Sequence, residues 1–210
     1  MKKILLQGDS ITDAGRGNGD DPNVAGSGYA MLLKAHLMME DPDCVVYNCG
    51  ISGHRVVDLY ARWKKHCLNL EPDVLSIMIG INDVWHEYGW QNGVDVDKYE
   101  NIYRLMLKET VEKLPNIKVI LMAPYLIEGT VGDMYECGFE AFYNEVKLRQ
   151  DVVKKLADEF GFAFLDTQKV FDDAIAKGVP ASHWSGDGVH PTPAGHELIK
   201  RAWLEVYNTL

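Results

Sequence analysis

Five short, almost wholly apolar runs punctuate the chain, at residues 3–7, 45–49, 74–79, 117–123 and 163–166. Each is too short for an amphipathic helix and lacks the alternation of a strand with one wet face. The pattern therefore predicts strands buried on both sides, as in a parallel sheet. Between these runs the period changes. Val56, Leu59, Tyr60, Trp63 and Cys67 recur at helical spacing, as do Phe139, Phe142, Tyr143, Val146, Val153, Leu156 and Phe160, and both stretches predict amphipathic helices. Further helices are expected over 28–39, 98–113 and 193–207, the last with Thr192 as N-cap and Pro193 at its first position. No repeat, low-complexity stretch or linker interrupts the alternation. It predicts one α/β domain over 1–210, a three-layer α/β/α sandwich around a five-stranded parallel sheet with right-handed crossovers. Ligands of such sheets sit at the carboxyl ends of the strands, which directs attention to the residues that follow each run.

Composition narrows the partners. The 210 residues are 47% hydrophobic, enough for a core that needs no disulfide or metal staple. Against 21 basic residues stand 31 acidic ones, a net charge of -10 without any block of like charge, so nucleic acid and anionic membrane are poor partners. Cys44, Cys49, Cys67 and Cys137 lie in apolar or helical surroundings without metal-ligand spacing, and read as reduced thiols of an intracellular protein. The opening Met1-Lys2-Lys3-Ile4-Leu5-Leu6 imitates a secretory leader, but Gln7 ends an apolar run that would need about 7 to 15 residues. No run approaches the roughly 18 apolar residues of a membrane span. A cytoplasmic location is expected.

Four polar clusters follow the strands or precede the last helix. The first is Gly8-Asp9-Ser10-Ile11-Thr12-Asp13, in which Ser10 is a candidate nucleophile; the structural alternative is that Asp9 and Ser10 only cap a turn. The second is Asn48-Cys49-Gly50-Ile51-Ser52-Gly53 and the third Gly80-Ile81-Asn82-Asp83, where glycine for a tight turn and asparagine for a cap are the structural alternatives. The fourth is Asp187-Gly188-Val189-His190-Pro191. An Asp three residues before a His in a turn can hold the imidazole Nδ1, leaving Nε2 free to take a proton. Each cluster alone is weak, but four of them on one doubly wound sheet point to a site. Ser52 lacks the Gly-x-Ser-x-Gly elbow and reads as structural. Gly15-Arg16-Gly17-Asn18-Gly19 follows no strand directly and lacks the Lys-Ser/Thr of a phosphate loop, so it reads as a flexible loop near the site mouth. His196, a conceivable metal ligand with His190 and Asp187, reads as a solvated or capping histidine, like His36, His66 and His86.

These four blocks, in this order, resemble those of the GDSL or SGNH hydrolases, over nearly the whole chain. Gly50-Ile51-Ser52-Gly53, the stretch 77–85 and Asp166-Thr167-Gln168 further resemble intracellular bacterial acetylxylan esterases of that family. The resemblance implies the flavodoxin-like sandwich of the family, ester hydrolysis through an acyl-enzyme, no cofactor and no metal. It implies Ser10 as nucleophile, His190 as base and Asp187 as its partner, with an oxyanion hole made by the backbone N–H groups of Ser10 and Gly50 and the amide of Asn82. Trp85, Tyr88 and Trp184, with Asp9 beside the serine, are candidates for substrate contact; Trp90 lies in the same stretch, and packing in the core or a subunit contact is the alternative for these aromatics. The expected substrate is a small acetylated carbohydrate, such as an acetylated xylo-oligosaccharide. A lysophospholipase or thioesterase with the same catalytic residues, and a nucleotide- or flavin-binding module without turnover, are the competing readings. A homo-oligomer is compatible with the sequence.

Overall fold

The structure, a computed structural model, describes residues 1–17 and 19–210; Asn18 of the 15–19 loop lies outside the described residues. Five strands, β1 (Lys2–Gly8), β2 (Cys44–Asn48), β3 (Val74–Met78), β4 (Lys118–Met122) and β5 (Ala163–Leu165), form a sheet in the order β2-β1-β3-β4-β5. Every pairing is parallel, with Leu6 opposite Asn48, Gly8 opposite Met78, and Met78 opposite Met122. Along the chain the helices are α1 (Ser10–Asp13), α2 (Tyr29–Glu40), α3 (Val56–Ala61), α4 (Trp63–His66), α5 (Ile81–Trp90) and α6 (Val96–Lys113). They continue as α7 (Thr130–Asp133), α8 (Gly138–Phe160), α9 (Thr167–Ala176), α10 (Ala181–Trp184) and α11 (Pro193–Tyr207).

Successive strand residues feed opposite faces, and both faces are dry. Leu5, Leu75, Ile77, Val119 and Leu121 join a core closed by α3, α4, α6 and the C-terminal half of α8. Ile4, Leu6, Val74, Met78, Ile120 and Met122 join the other, under α2, α9 and α11. This is the expected three-layer sandwich. A polar inward position, Ser76, is fixed by the indole N–H of Trp203, which donates to Ser76 Oγ at 2.9 Å. Cys44, Cys49 and Cys67 are buried, burial pushing the Cys49 thiol up to about 11, while Cys137 is half-buried.

Differences from the sequence pattern have local causes. The expected 163–166 strand ends at Leu165 because the Asp166 carboxylate caps α9, accepting the Lys169 N–H at 3.0 Å. The expected helical stretch from Val56 to Cys67 is broken at Arg62 into α3 and α4. There the guanidinium turns inward to donate to Gln7 Oε1, the Cys49 carbonyl and the Gly8 carbonyl. α5 and α9 were not marked by the apolar pattern. The described residues of the 15–19 segment, expected as a flexible loop, are instead tied around Arg16. All five N–H groups of that side chain point at backbone carbonyls, those of Gly17, Gly19, Asp21, Val24 and Gly50, at 2.8–3.3 Å.

Candidate active site

Because β1, β2 and β3 run parallel and adjacent, their carboxyl ends deliver Ser10, the 48–53 turn and Asn82 to one edge of the sheet, where the strand order reverses. Ser10 opens the single-turn helix α1. Asp9 caps it, its carboxylate accepting the Ile11 N–H at 3.0 Å. Asp9 is 1% exposed, and burial pushes its pKa up to about 7. That corrects its expected place among the substrate contacts: the side chain is sealed beneath the serine and cannot meet a ligand.

From the other end of the chain, the loop before α11 brings His190 to Ser10. Ser10 Oγ lies 2.8 Å from His190 Nε2, and His190 Nδ1 lies 2.6 Å from Asp187 Oδ2. Asp187 is an acceptor, so Nδ1 carries the hydrogen and the neutral ring offers Nε2 to the serine hydroxyl. The second carboxylate oxygen accepts the N–H groups of Val189 and His190 at 2.9 and 2.7 Å. Burial works to raise the Asp187 pKa, but the hydrogen bond with His190 and these two N–H groups outweigh it and hold the carboxyl well below its usual range. The same bond to Asp187 raises His190 above its ordinary value against the opposing effect of burial.

The loop is itself held from below. The Ile127 N–H donates to the Gly188 carbonyl and the Val131 N–H to the Asp187 carbonyl, each at 3.0 Å, and the buried Tyr125 hydroxyl donates to the Val189 carbonyl at 2.5 Å. Gly129 packs directly on this turn, since a Cβ there would stand 2.2 Å from the Gly188 nitrogen.

The expected oxyanion donors divide. Asn82, nearly buried, spends one amide hydrogen on the His54 carbonyl at 3.1 Å and keeps the other. Gly50 does not fit its expected role. Its N–H donates to Asn48 Oδ1 at 2.9 Å, an orientation fixed because the Asn48 amide nitrogen donates to the carbonyls of Thr12 and Ala25. Gly50 is required for another reason: a Cβ would lie 2.4 Å from the Asp13 nitrogen. Three residues on, Gly53 has a φ of +78°, and its N–H has no acceptor among the described residues.

The aromatic candidates also separate. The Trp85 ring centre lies 5.9 Å from that of His190, and its indole N–H donates to Tyr135 Oη at 2.8 Å. Tyr88, one turn further along α5, stacks on Phe142 at 5.2 Å and so belongs to the packing between α5 and α8. Trp184 stands edge-on to His183 at 4.8 Å and shares a surface recess with Leu198 and Arg201. Trp90 is exposed and edge-on to His86. His196 is a capping residue, yet buried rather than solvated: its Nδ1 accepts the Tyr29 N–H at 3.1 Å, and burial pushes its pKa down to about 4. Among the described residues, no cluster of three or more His, Cys, Asp or Glu is placed to hold a metal ion. No helix among them is long and apolar enough to cross a membrane. A cavity of about 530 Å³ lies behind α5, lined by Asp83, Tyr88, Lys98 and Arg149, and includes neither Ser10 nor His190. Tyr135, Tyr125, Asp13 and Arg16 had no signal in the sequence, because their partners are backbone groups or residues far along the chain.

A parallel α/β sandwich with a hydroxyl, an imidazole and a carboxylate in series at its strand ends has the form of a hydrolase that works through a side-chain oxygen. The profile of the GDSL-like lipase/acylhydrolase family matches residues 6–198, and the chain belongs to that family. It is 37% identical to an acetylxylan esterase of Geobacillus stearothermophilus over 213 residues, covering 97% of this chain and 92% of that one. A crystal structure of a protein from Parabacteroides merdae described as a GDSL-like lipase superposes with a TM-score of 0.88 at 39% identity, covering 99% of this chain and 95% of that one. The crystal structure of the Geobacillus acetylxylan esterase Axe2 gives 0.84 at 36% identity, covering 97% and 93%. The chain is a carboxylic ester hydrolase.

Proposed function

We propose that this esterase removes acetyl groups from small acetylated carbohydrates, acetylated xylo-oligosaccharides being the leading case, through an acyl-enzyme on Ser10. The observation that carries the chemistry is the unbroken contact from Ser10 Oγ through His190 to Asp187, at 2.8 and 2.6 Å. The substrate class is supported by the near full-length likeness to an acetylxylan esterase and by the indole of Trp85 beside the His190 ring, a surface suited to the C–H face of a sugar.

In this reading His190 Nε2 takes the Ser10 proton as the oxygen attacks the ester carbonyl. The proton then passes to the departing sugar hydroxyl, and Asp187 stabilises the imidazolium in between. Water, deprotonated by the same nitrogen, attacks the acetyl-serine and releases acetate. The oxyanion is met by the N–H groups of Ser10 and Gly53 and the free amide hydrogen of Asn82, with Gly53 taking the role expected of Gly50, whose N–H is engaged.

A panel of acetylated xylo-oligosaccharides and nitrophenyl esters of graded acyl length, with mass spectrometry of the products, tests the reading. Turnover is expected to be highest for acetyl and to fall with each added pair of carbons. Activity climbing steeply with chain length would favour a lysophospholipase or thioesterase instead.

A further inference from the structure

We propose that Asp13 is a positioning residue for the oxyanion site, clamping the 51–53 turn onto the helix that carries Ser10. This rests on the reading of Ser10 as nucleophile and Gly53 as donor. Asp13 is the last residue of α1, three positions after Ser10, and is 2% exposed. One carboxylate oxygen, Oδ2, accepts both the backbone N–H of Ser52 at 3.0 Å and its side-chain hydroxyl at 2.7 Å. The other, Oδ1, accepts the Gly17 N–H at 3.2 Å.

Two donors from one residue onto one acceptor fix that residue at two points, backbone and side chain. The next peptide hangs from that fixed residue, the carbonyl of Ser52 and the N–H of Gly53 lying in one rigid plane, and the turn closes beyond it where the His54 N–H donates to the Ile51 carbonyl at 3.2 Å. Gly53 has no Cβ to limit it and sits at a φ of +78°, where glycine is free to turn. With Ser52 released, the central peptide of this turn can turn over, as between type I and type II turns, and carry the Gly53 N–H away. Other ties hold the same loop earlier: Asn48 Nδ2 on the Thr12 carbonyl at 2.7 Å, Arg16 Nη1 on the Gly50 carbonyl at 3.1 Å, and the Ile51 N–H on the Gly8 carbonyl at 3.1 Å. Asp13 makes the last tie before Gly53.

The chemistry of the clamp argues for a use beyond folding. A buried carboxylate whose partners are all neutral donors costs more to desolvate than an apolar side chain filling the same space. What it provides is an acceptor that cannot rotate into a donor and so holds two hydrogens at once. A preorganised donor needs that rigidity, since its value in the transition state depends on its not having to reorient.

Kinetics of Asp13→Ala, Asp13→Asn and Ser52→Ala on an acetyl ester, with inhibition by a phenylboronic acid, test the proposal. The boronate forms a tetrahedral adduct on the serine and places an oxygen in the oxyanion site. Asp13→Ala is expected to lower kcat by about 10- to 100-fold, part of the cost of losing a whole oxyanion donor, with KM within about twofold. Boronate Ki should rise by the same factor that kcat/KM falls. Asp13→Asn keeps an oxygen able to accept from Ser52 but turns its NH₂ toward the Gly17 N–H, and should recover part of kcat, falling between Asp13→Ala and the parent. Ser52→Ala keeps the backbone N–H and should lose less than Asp13→Ala; it also carries the test should Asp13→Ala not fold. An unchanged kcat, a loss appearing only in KM, or a fall in kcat with no loss of boronate affinity would overturn the assignment. Ser10→Ala is assayed alongside. Turnover surviving in that variant sinks the nucleophile reading itself, whereas a dead Ser10→Ala beside a fully active Asp13→Ala sinks only the role of Asp13.

Discussion

His190 shows how far one side chain's surroundings set its working range. In the proposed mechanism the ring must be neutral to accept the Ser10 proton, and the neutral fraction falls as pH drops through its pKa. The hydrogen bond with Asp187 favours the imidazolium and exceeds the opposing effect of burial, so that pKa lies above the ordinary value of 6.5. The kcat/KM profile is therefore expected to decline on the acid side about an inflection above 6.5, and Asp187→Asn to move the inflection down while lowering the rate by about 10⁴-fold through loss of the correct tautomer. A profile flat from pH 8 down to pH 4 would remove His190 from the mechanism. The meeting of Ser10, His190 and Asp187 was legible in the sequence because few residue types can do the proposed chemistry and the Asp-x-x-His spacing is short enough to read. The engagement of the Gly50 N–H was not legible. Gly50 and Gly53 stand in the same short stretch, and which N–H is free depends on the Asn48 amide, whose own partners are carbonyls of Thr12 and Ala25.

Among the elements, α5 illustrates what hid from the pattern. Ile81, Val84, Trp85 and Tyr88 fall at i, i+3, i+4 and i+7, a helical stripe, but Gly80, Asn82, Asp83 and Gly89 in the same stretch are turn-formers and broke the signal. α9 carries a similar stripe in Val170, Phe171, Ala174 and Ile175, entered through the Asp166 cap. Strands were easier, since burial on both faces leaves an unbroken apolar run. The junction of α1 with the loop after β2 is where backbone meets backbone, and Gly50 makes it possible. Gly50→Ala places a methyl 2.4 Å from the Asp13 nitrogen and 2.7 Å from the Thr12 carbonyl carbon, with no flexible side chain to yield. A destabilisation of about 1–3 kcal/mol, the usual cost of overpacking, is expected in denaturant melts. If Gly50→Ala melted like the parent, the close approach of these two segments would be wrong.

Over the whole molecule, the sheet order gathers what the chain order scatters. Ser10 and His190 are 180 positions apart and meet because β1 lies inside the sheet, between β2 and β3, while the loop before α11 is drawn over it by the 125–131 segment. The strand runs made the sheet legible. The docking of that loop was not, since it depends on carbonyls, which every residue carries.

That separation has a temporal side. The contact between Ser10 and His190 is among the longest loops the chain must close, and such contacts are expected late because their entropy is spent before they are rewarded. Competence for hydrolysis should thus be a late event in folding. When the denatured chain is diluted into buffer, labelling of Ser10 by a fluorophosphonate should lag behind the burial of tryptophan followed by fluorescence. Labelling that ran ahead of burial would show that the nucleophile is activated before the chain's far end arrives. A chain lacking residues 190 onward would carry Ser10, its capping Asp9 and all five strands of the sheet, and is expected to be inert toward esters, so that the reactive oxygen is armed only once the loop before α11 has docked.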